Sequence, residues 1–453
     1  MTPGTRDLWF VPLGGCGEIG MNLNLYGHDD RWLMVDCGIT FERRLGSVRP
    51  DIQTADPRFI EERRDKLAGI IITHAHEDHV GALPLLWKRF EVPVYTTPFT
   101  AEVLRRKASG RGGVVPTPII ECVPGESIDI GPFHVEWMPI THSTPDTSAL
   151  LIETPAGRIL HTADWKIDEQ PVVGDAFHSA LFEEAGQRGL DAVICDSTNA
   201  TVPGRTPTEG AVGRGLADVI RRCEGRVVVA CFASNVARMA SVAAAAEETG
   251  RYLGLLGRSL RTMYSAARTA GFLRGQKRII ESSDLGYLPR DEVLVLATGS
   301  QGEYGAALHR LSAGTHPDLE LTAGDTVILS ARVIPGNEEP VENLLKRFRA
   351  LGVSVVLDGD NDQLVHASGH PCAEELASMY QWLTPKLVVP VHGEKRHMEA
   401  NAKIAKSNGA RMALTGGNGD LFYLAPEPGV RRRFATVGRL QQDENGHLQP
   451  LIE

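Results

Sequence analysis

Apolar positions near the start of the chain come in short bursts. Leu8–Leu13, Met21–Tyr26 and Arg31–Asp36 are apolar or alternate with polar residues, and Gly14-Gly15, Gly27-His28 and Gly38 punctuate them. That pattern predicts strands joined by tight turns. Ile70–Ile72 is a β-branched burst that stops abruptly at Thr73-His74, as a buried strand delivering a loop would. Leu83–Arg89 and Thr100–Lys107 read as helices, and strand signals return at Val92–Tyr95, His134–Pro139, Ala149–Glu153, Arg158–His161 and Asp191–Cys195. This half is a strand-rich meander, not a regular βαβ repeat. From about Thr206 the texture changes. Helical stretches (Glu209–Cys223, Val236–Thr249, Leu260–Ala270) alternate with buried-strand runs at Arg226–Ala230, Val293–Ala297 and Thr326–Ser330. Leu344–Leu351, Val353–Leu357, Ala373–Trp382 and Lys386–Val391 continue the alternation, which predicts an α/β unit with a parallel sheet. After Tyr423 the pattern predicts loop, with Arg431-Arg432-Arg433 and Gln441–His447.

Composition narrows the class. The 453 residues suffice for two or three domains and a large core, and 42% hydrophobic with 23% charged residues is an ordinary globular balance. No apolar run approaches a membrane span, and Met1–Phe10 lacks a basic-then-apolar leader. Seven cysteines are scattered and never spaced as C-x-x-C, the usage of free thiols in a reducing cytoplasm. The net charge of −10 opposes non-specific nucleic-acid binding, so a nucleic-acid substrate would need a focused groove. Basic candidates for such a path are Arg43-Arg44, Arg105-Arg106-Lys107, Arg111, Arg258, Arg261 and Arg332, although charge runs are usually solvated faces.

Gly15-Cys-Gly17-Glu-Ile-Gly20 matches a dinucleotide-binding fingerprint, but that fingerprint must open a helix. Here Met21–Tyr26 alternates like a strand, so a glycine turn between two strands is expected. His74-Ala-His76-Glu-Asp78-His79 carries the chemistry. Four potential ligands fall within six residues directly after an apolar strand. A tight loop there can aim His74 and His76 at one metal while Asp78 and His79 face a second. Nitrogen and carboxylate donors without thiolates suit zinc or manganese and leave positions open for water. His142, Asp164 and His392 each follow an apolar run, where loops at one sheet edge can converge. A carboxylate at Asp164 is suited to bridging two ions.

H-x-H-x-D-H with later His, Asp and His resembles the metallo-β-lactamase superfamily. Further motifs narrow the resemblance to the β-CASP nucleases and, most closely, to the ribonuclease J family. They are Leu13-Gly-Gly-Cys-Gly-Glu-Ile-Gly-Met-Asn22, Asp196-Ser-Thr-Asn199, Ala233-Ser-Asn235, Thr298-Gly-Ser-Gln-Gly-Glu303, Ile334-Pro-Gly-Asn-Glu338, His366-Ala-Ser-Gly-His370 and Pro390-Val-His-Gly-Glu394. They run in order from about Leu8 to Ala425. The resemblance implies an α/β protein: an αββα metallo-β-lactamase sandwich carrying an inserted α/β β-CASP domain. The expected parts are 1–205 and 364–425 for the sandwich, 206–363 for the insertion and 426–453 for a short tail. The 28 residues after Ala425 are too few for a core of their own, which implies a short form without the family's C-terminal domain.

The resemblance also implies roles. His74, His76 and His142 resemble ligands of one metal, Asp78, His79 and His392 those of the other, and Asp164 the bridge, for two Zn²⁺ per chain with Mn²⁺ as a substitute. Asp36, in Val35-Asp-Cys-Gly38, resembles a carboxylate that orients the histidine loop. Asp196 and His370 resemble a pair in which the carboxylate holds the histidine beside the leaving oxygen, so Asp78, Asp196 and His370 are the expected catalytic residues. Ser234, Asn235, His366, Ser368 and Gly369 match a site for the phosphate of the terminal nucleotide; Ser234 is also a candidate helix N-cap before Val236. Pro371 and Thr144 depart from the family's usual residues. The implied activity is two-metal hydrolysis of single-stranded RNA, exo- or endonucleolytic, leaving 5′-phosphate and 3′-hydroxyl. The implied partners are 5′-monophosphorylated RNA, a second copy of the chain and RNA-decay proteins, in the cytoplasm. Competing readings are a DNA nuclease of the β-CASP type, a small-ester hydrolase and a non-catalytic RNA-binding subunit.

Overall fold

The computed structural model of the protein describes residues 1–42, 51–108, 113–275 and 279–451. Arg43-Arg44 and Arg111 lie outside them. Two sheets face each other. One has eight strands in the order Gly429–Arg431, Leu421–Ala425, Leu8–Gly14, Leu23–His28, Arg31–Val35, Leu67–Ile72, Val94–Thr96 and Ile119–Glu121. The other has seven, in the order Met412–Ala413, Leu387–Val391, Ala192–Asp196, Gly157–His161, Ser148–Thr154, Phe133–Pro139 and Ser127–Ile130. Leu8, Phe10, Tyr26 and Val35 of the first meet Val135, Trp137, Leu150 and Ile152 of the second in one buried cluster. Each such side chain contributes about 1.5–3 kcal/mol relative to exposure. Helices Leu83–Phe90 and Pro98–Ala108 cover the outer face of the first sheet, while Ser179–Gln187, Ala373–Leu383 and Lys395–Ser407 cover that of the second. The expected αββα sandwich is what the chain forms.

A separate six-stranded parallel sheet takes the order Ile279–Ile280, Tyr252–Leu256, Val293–Ala297, Val227–Ala230, Thr326–Leu329 and Ser354–Leu357. Its central strands are buried on both faces, which is why they read as continuous apolar runs. Helices Glu209–Arg221, Val236–Thr249 and Arg258–Thr269 pack on one side, Ala307–Ser312 and Glu338–Ala350 on the other. Where this unit meets the sandwich, four fully buried charges neutralise one another. Lys166 Nζ lies 3.0 Å from Asp168 and 3.4 Å from Glu209, and Arg238 reaches Glu209 at 3.2 Å. Arg238 also donates to the Ser330 hydroxyl and to the Val365 carbonyl.

The loop expected after Tyr423 is instead interrupted by three short strands, Gly429–Arg431, Arg439–Gln442 and Leu448–Pro450. Arg439–Gln442 pairs with Asp51–Ala55 and with Leu448–Pro450, making a four-stranded sheet with Ile39–Glu42. Arg439–Gln442 and Leu448–Pro450 are four and three residues long, and Leu440 is their one buried residue, too little for an apolar pattern to show. The glycine turn, by contrast, is as expected. Leu8–Gly14 and Leu23–His28 are antiparallel neighbours, and Gly15, Gly17 and Gly20 take positive φ between them. Among the described residues, no helix is long and apolar enough to cross a membrane.

Candidate metal centre and nucleic-acid cleft

Strand direction assembles the site. Arg31–Val35 runs parallel to Leu67–Ile72, and Gly157–His161, Ala192–Asp196 and Leu387–Val391 are mutually parallel. Their carboxyl ends therefore deliver Asp36, His74, Asp164, Asp196 and His392 to one edge. The chain turns off these strands sharply: Asp36, Ala163 and His392 all hold left-handed φ (66°, 54° and 50°), a costly conformation for non-glycine residues that clusters at functional sites. Gly38 lets the loops close, because a Cβ there would lie 1.7 Å from the Asp78 carbonyl oxygen.

Asp164 Oδ2 is the hub. It lies 3.1 Å from His79 Nε2, 3.4 Å from His392 Nε2, 3.8 Å from His74 Nε2 and 4.0 Å from His142 Nε2. Three overlapping groups have donors close enough to hold a metal ion: His74, His76, His142 and Asp164; Asp78, His79, Asp164 and His392; and the smaller set Asp164, Asp196 and His370. In the first, His76 Nδ1 faces His74 Nε2 at 3.1 Å and His142 Nε2 at 3.0 Å. A tetrahedral ion with nitrogen ligands at about 2.0–2.1 Å spaces them by roughly 3.3 Å, so this set fits one.

The opposite ring nitrogens are already engaged. His79 Nδ1–H donates to Asp36 at 2.8 Å, and His74 Nδ1–H to Thr73 Oγ1, whose hydroxyl donates to Asp36 in turn. His142 Nδ1–H donates to the Gly369 carbonyl at 2.6 Å and His392 Nδ1–H to Asn22 Oδ1 at 3.1 Å. His76 is reversed, with Nε2 3.3 Å from Ser143 Oγ. Each bond fixes the tautomer that leaves the inward nitrogen a lone pair. Burial and the neighbouring imidazoles pull His74 and His142 well below the usual histidine range, and burial takes His76 to about 4. Burial would also lower His79, but Asp164, Asp78 and Asp36 outweigh it and raise it well above that range. Three carboxylates around one imidazole are a surplus of negative charge that a cation offsets. Burial alone would raise Asp164, yet His392, His79 and His370 hold it well below the carboxylate range.

Beside this centre His370 Nδ1 bonds Asp196 at 2.8 Å and lies 3.9 Å from Asp164. Asp196 Oδ1 is fixed by the Thr198 amide and hydroxyl. Burial lowers His370, but Asp196 and then Asp164 overcome it and bring it up to about 9. Ser368 Oγ accepts from Asn199 Nδ2 at 2.8 Å and from the His370 amide at 3.2 Å. Gly369 is obligatory: a Cβ would stand 2.5 Å from the His142 ring. His366 is held down to about 3 by burial and then by the Arg238 charge, and its Nδ1 is buried with no hydrogen-bond partner. Ser234 does not cap the following helix. Asn235 does, accepting from the Arg238 amide at 2.8 Å. Sequence reasoning gave no role to Asn22, Thr73, Ser143 or Asn199. Asn22 and Asn199 end two of the quoted motifs, and that was the available signal.

The sandwich, the insertion and a His/Asp cluster at their junction define a metal-dependent hydrolase that uses divalent metal. Family comparison matches "Metallo-beta-lactamase superfamily" at 20–191, "Ribonuclease J, beta-CASP domain" at 224–348 and "Zn-dependent metallo-hydrolase RNA specificity domain" at 357–413. The chain belongs to the ribonuclease J family. It is 43% identical to Ribonuclease J of Sinorhizobium meliloti, over 97% of this chain and 78% of that protein. With Ribonuclease J of Mycolicibacterium smegmatis it shares 40% over 90% and 72%, and with that of Thermus thermophilus 38% over 95% and 75%. A crystal structure of a protein of unknown function from Enterococcus faecalis V583 superposes with TM-score 0.65 over 92% of this chain and all of that one. Their identity is 17%, a likeness of fold alone.

Proposed function

We propose that this ribonuclease holds two Zn²⁺ ions, replaceable by Mn²⁺, one on His74, His76 and His142, the other on Asp78, His79 and His392, with Asp164 between them. When bound, such a pair supplies a water nucleophile at neutral pH and offsets charge on the phosphoryl oxygens. The chain's own residues do the rest. Asp36 aims His79 directly and His74 through Thr73, while Asn22 aims His392. His370, held at Nδ1 by Asp196, protonates the departing 3′ oxygen, leaving a 5′-phosphate and a 3′-hydroxyl. Ser234, His366, Ser368, the Gly369 amide and the Asn235 Nδ2 group, which the helix cap leaves free, take the terminal phosphate of single-stranded RNA. The parts 1–205 and 364–425 would then be the sandwich and 206–363 the insertion, with 426–453 a tail whose strand Gly429–Arg431 extends the sandwich's first sheet.

One observation carries this reading. The bond from His142 to the Gly369 carbonyl joins the metal cleft to the loop that bears His366, Ser368 and His370. A phosphate on that loop lies beside the metal centre, which favours trimming from a 5′-monophosphate end. The test is cleavage of end-labelled RNA carrying 5′-monophosphate or 5′-triphosphate, with matched single-stranded DNA alongside. Mononucleotides released from monophosphorylated RNA alone are expected. Internal fragments from both RNAs would establish endonuclease action instead, and equal cleavage of DNA would remove the RNA preference.

A further inference from the structure

Cations on or against the segments that form the cleft are mostly cancelled by carboxylates. Lys107 pairs with Glu77 at 2.5 Å, Arg396 with Glu394 at 3.1 Å and Arg205 with Glu374 at 3.6 Å. Lys166 and Arg238 are buried against Asp168 and Glu209. Arg332 differs. It is exposed, and among the described residues it forms no ion pair; its guanidinium Nη1 touches only the neutral Asn199 Oδ1, at 3.4 Å. Asn199 donates from its other end to Ser368 Oγ and to the His370 carbonyl at 3.2 Å, so Arg332 stands one amide side chain from that loop. Its charge also acts on His366 and Cys372 of that loop's segment and on His397 of helix Lys395–Ser407.

The backbone that presents Arg332 is braced. Buried Gln301 donates to the Arg332 carbonyl at 2.9 Å, and its Oε1 accepts from the Ile334 amide at 2.8 Å. The Asn337 side chain reaches the same oxygen at 3.4 Å. Two motifs, Thr298–Glu303 and Ile334–Glu338, thus meet to hold one loop at the carboxyl end of strand Thr326–Leu329, an edge where α/β sheets bind ligands.

We propose that Arg332 is a substrate-binding residue whose guanidinium takes a backbone phosphate of RNA lying across the cleft between insertion and sandwich. The inference rests on the ribonuclease reading and adds a contact outside the terminal-phosphate pocket. An un-neutralised guanidinium on a braced backbone is suited to phosphate oxygens, which it bonds in pairs. In a chain of net charge −10, it is also a local source of the attraction that RNA requires.

Arg332→Ala and Arg332→Lys test it. RNA cleavage and RNA binding are measured across a salt series, with bis(p-nitrophenyl) phosphate as a diester lacking an RNA backbone. Arg332→Ala should raise KM for RNA about tenfold and leave kcat within roughly twofold. It should flatten the slope of log binding constant against log salt by about 0.7, one contact's worth for a single strand. Arg332→Lys should keep the salt slope while losing part of the affinity, and hydrolysis of the small diester should not change. Unchanged KM and salt slope in Arg332→Ala would overturn the inference, as would equal loss on RNA and small diester, which would mark a structural role through Asn199. Wild-type protein that failed to bind RNA would instead defeat the ribonuclease reading, and the inference with it.

Discussion

The metal cleft of the sandwich, with the Asp196–His370 pair beside it, and the rim contributed by the insertion and the 366–368 segment sit side by side, yet they are built on opposite principles. In the cleft, the outward nitrogens of His74, His79, His142 and His392 already have partners, so the inward donors are set before anything binds. At the rim, His366 Nδ1 is buried without a partner and Arg332 meets only an amide oxygen. A site organised around fixed charge chemistry must be rigid beforehand. A site that grips a flexible polyanion can keep donors unspent until the phosphate arrives. The two should therefore fail differently: the cleft in turnover, the rim in affinity.

Substitutions can break that contrast, and the largest effect belongs to the cleft. Asp78→Ala should lower RNA cleavage about a thousandfold or more while leaving the thermal unfolding transition cooperative. Retained activity in the metal-loaded variant would remove Asp78 from the centre. Asp196→Asn comes next. It keeps the shape around His370 but removes the charge that holds it, and kcat should fall about a hundredfold with KM little changed. A change confined to KM would place the pair in binding. Gly38→Ala probes rigidity, because its Cβ collides with the backbone of the Asp78 loop. It should cost about 2 kcal/mol in urea unfolding and reduce metal affinity; an unaltered midpoint would show that the loops have slack. The smallest effect is expected at the rim. Ser368→Ala should weaken the preference for 5′-monophosphorylated over 5′-triphosphorylated RNA severalfold without lowering kcat on unstructured internal sites. A kcat loss as large as that of Asp196→Asn would erase the distinction between the two regions.

The cleft was far more legible in the sequence than the rim. Four donors packed into His74–His79 after an apolar strand announce themselves, and parallel strands buried on both faces announce the sheet ends that gather the rest. The residues that tune those donors do not. Asn22 and Thr73 are ordinary polar residues until the fold sets Asn22 against His392 and Thr73 between Asp36 and His74. Helix Lys395–Ser407 went unrecognised because its buried face carries His397 and Asn401 beside Met398 and Ala405, which blunts the apolar period. The closing strands were lost for a related reason. Arg439–Gln442 finds its partner nearly four hundred residues away in Asp51–Ala55, and no local pattern encodes that pairing. Arg332 reads as one more surface cation in sequence; only the pairing of its neighbours shows it to be different.

The central claim is that two ions share Asp164, and metal content tests it most directly. Wild-type protein and Asp164→Ala should be loaded with Zn²⁺, dialysed and assayed by elemental analysis, with far-ultraviolet circular dichroism confirming the fold. The account predicts two zinc ions per wild-type chain and less than one in the folded variant, since both donor sets lose a common oxygen. Two ions retained by Asp164→Ala would contradict it.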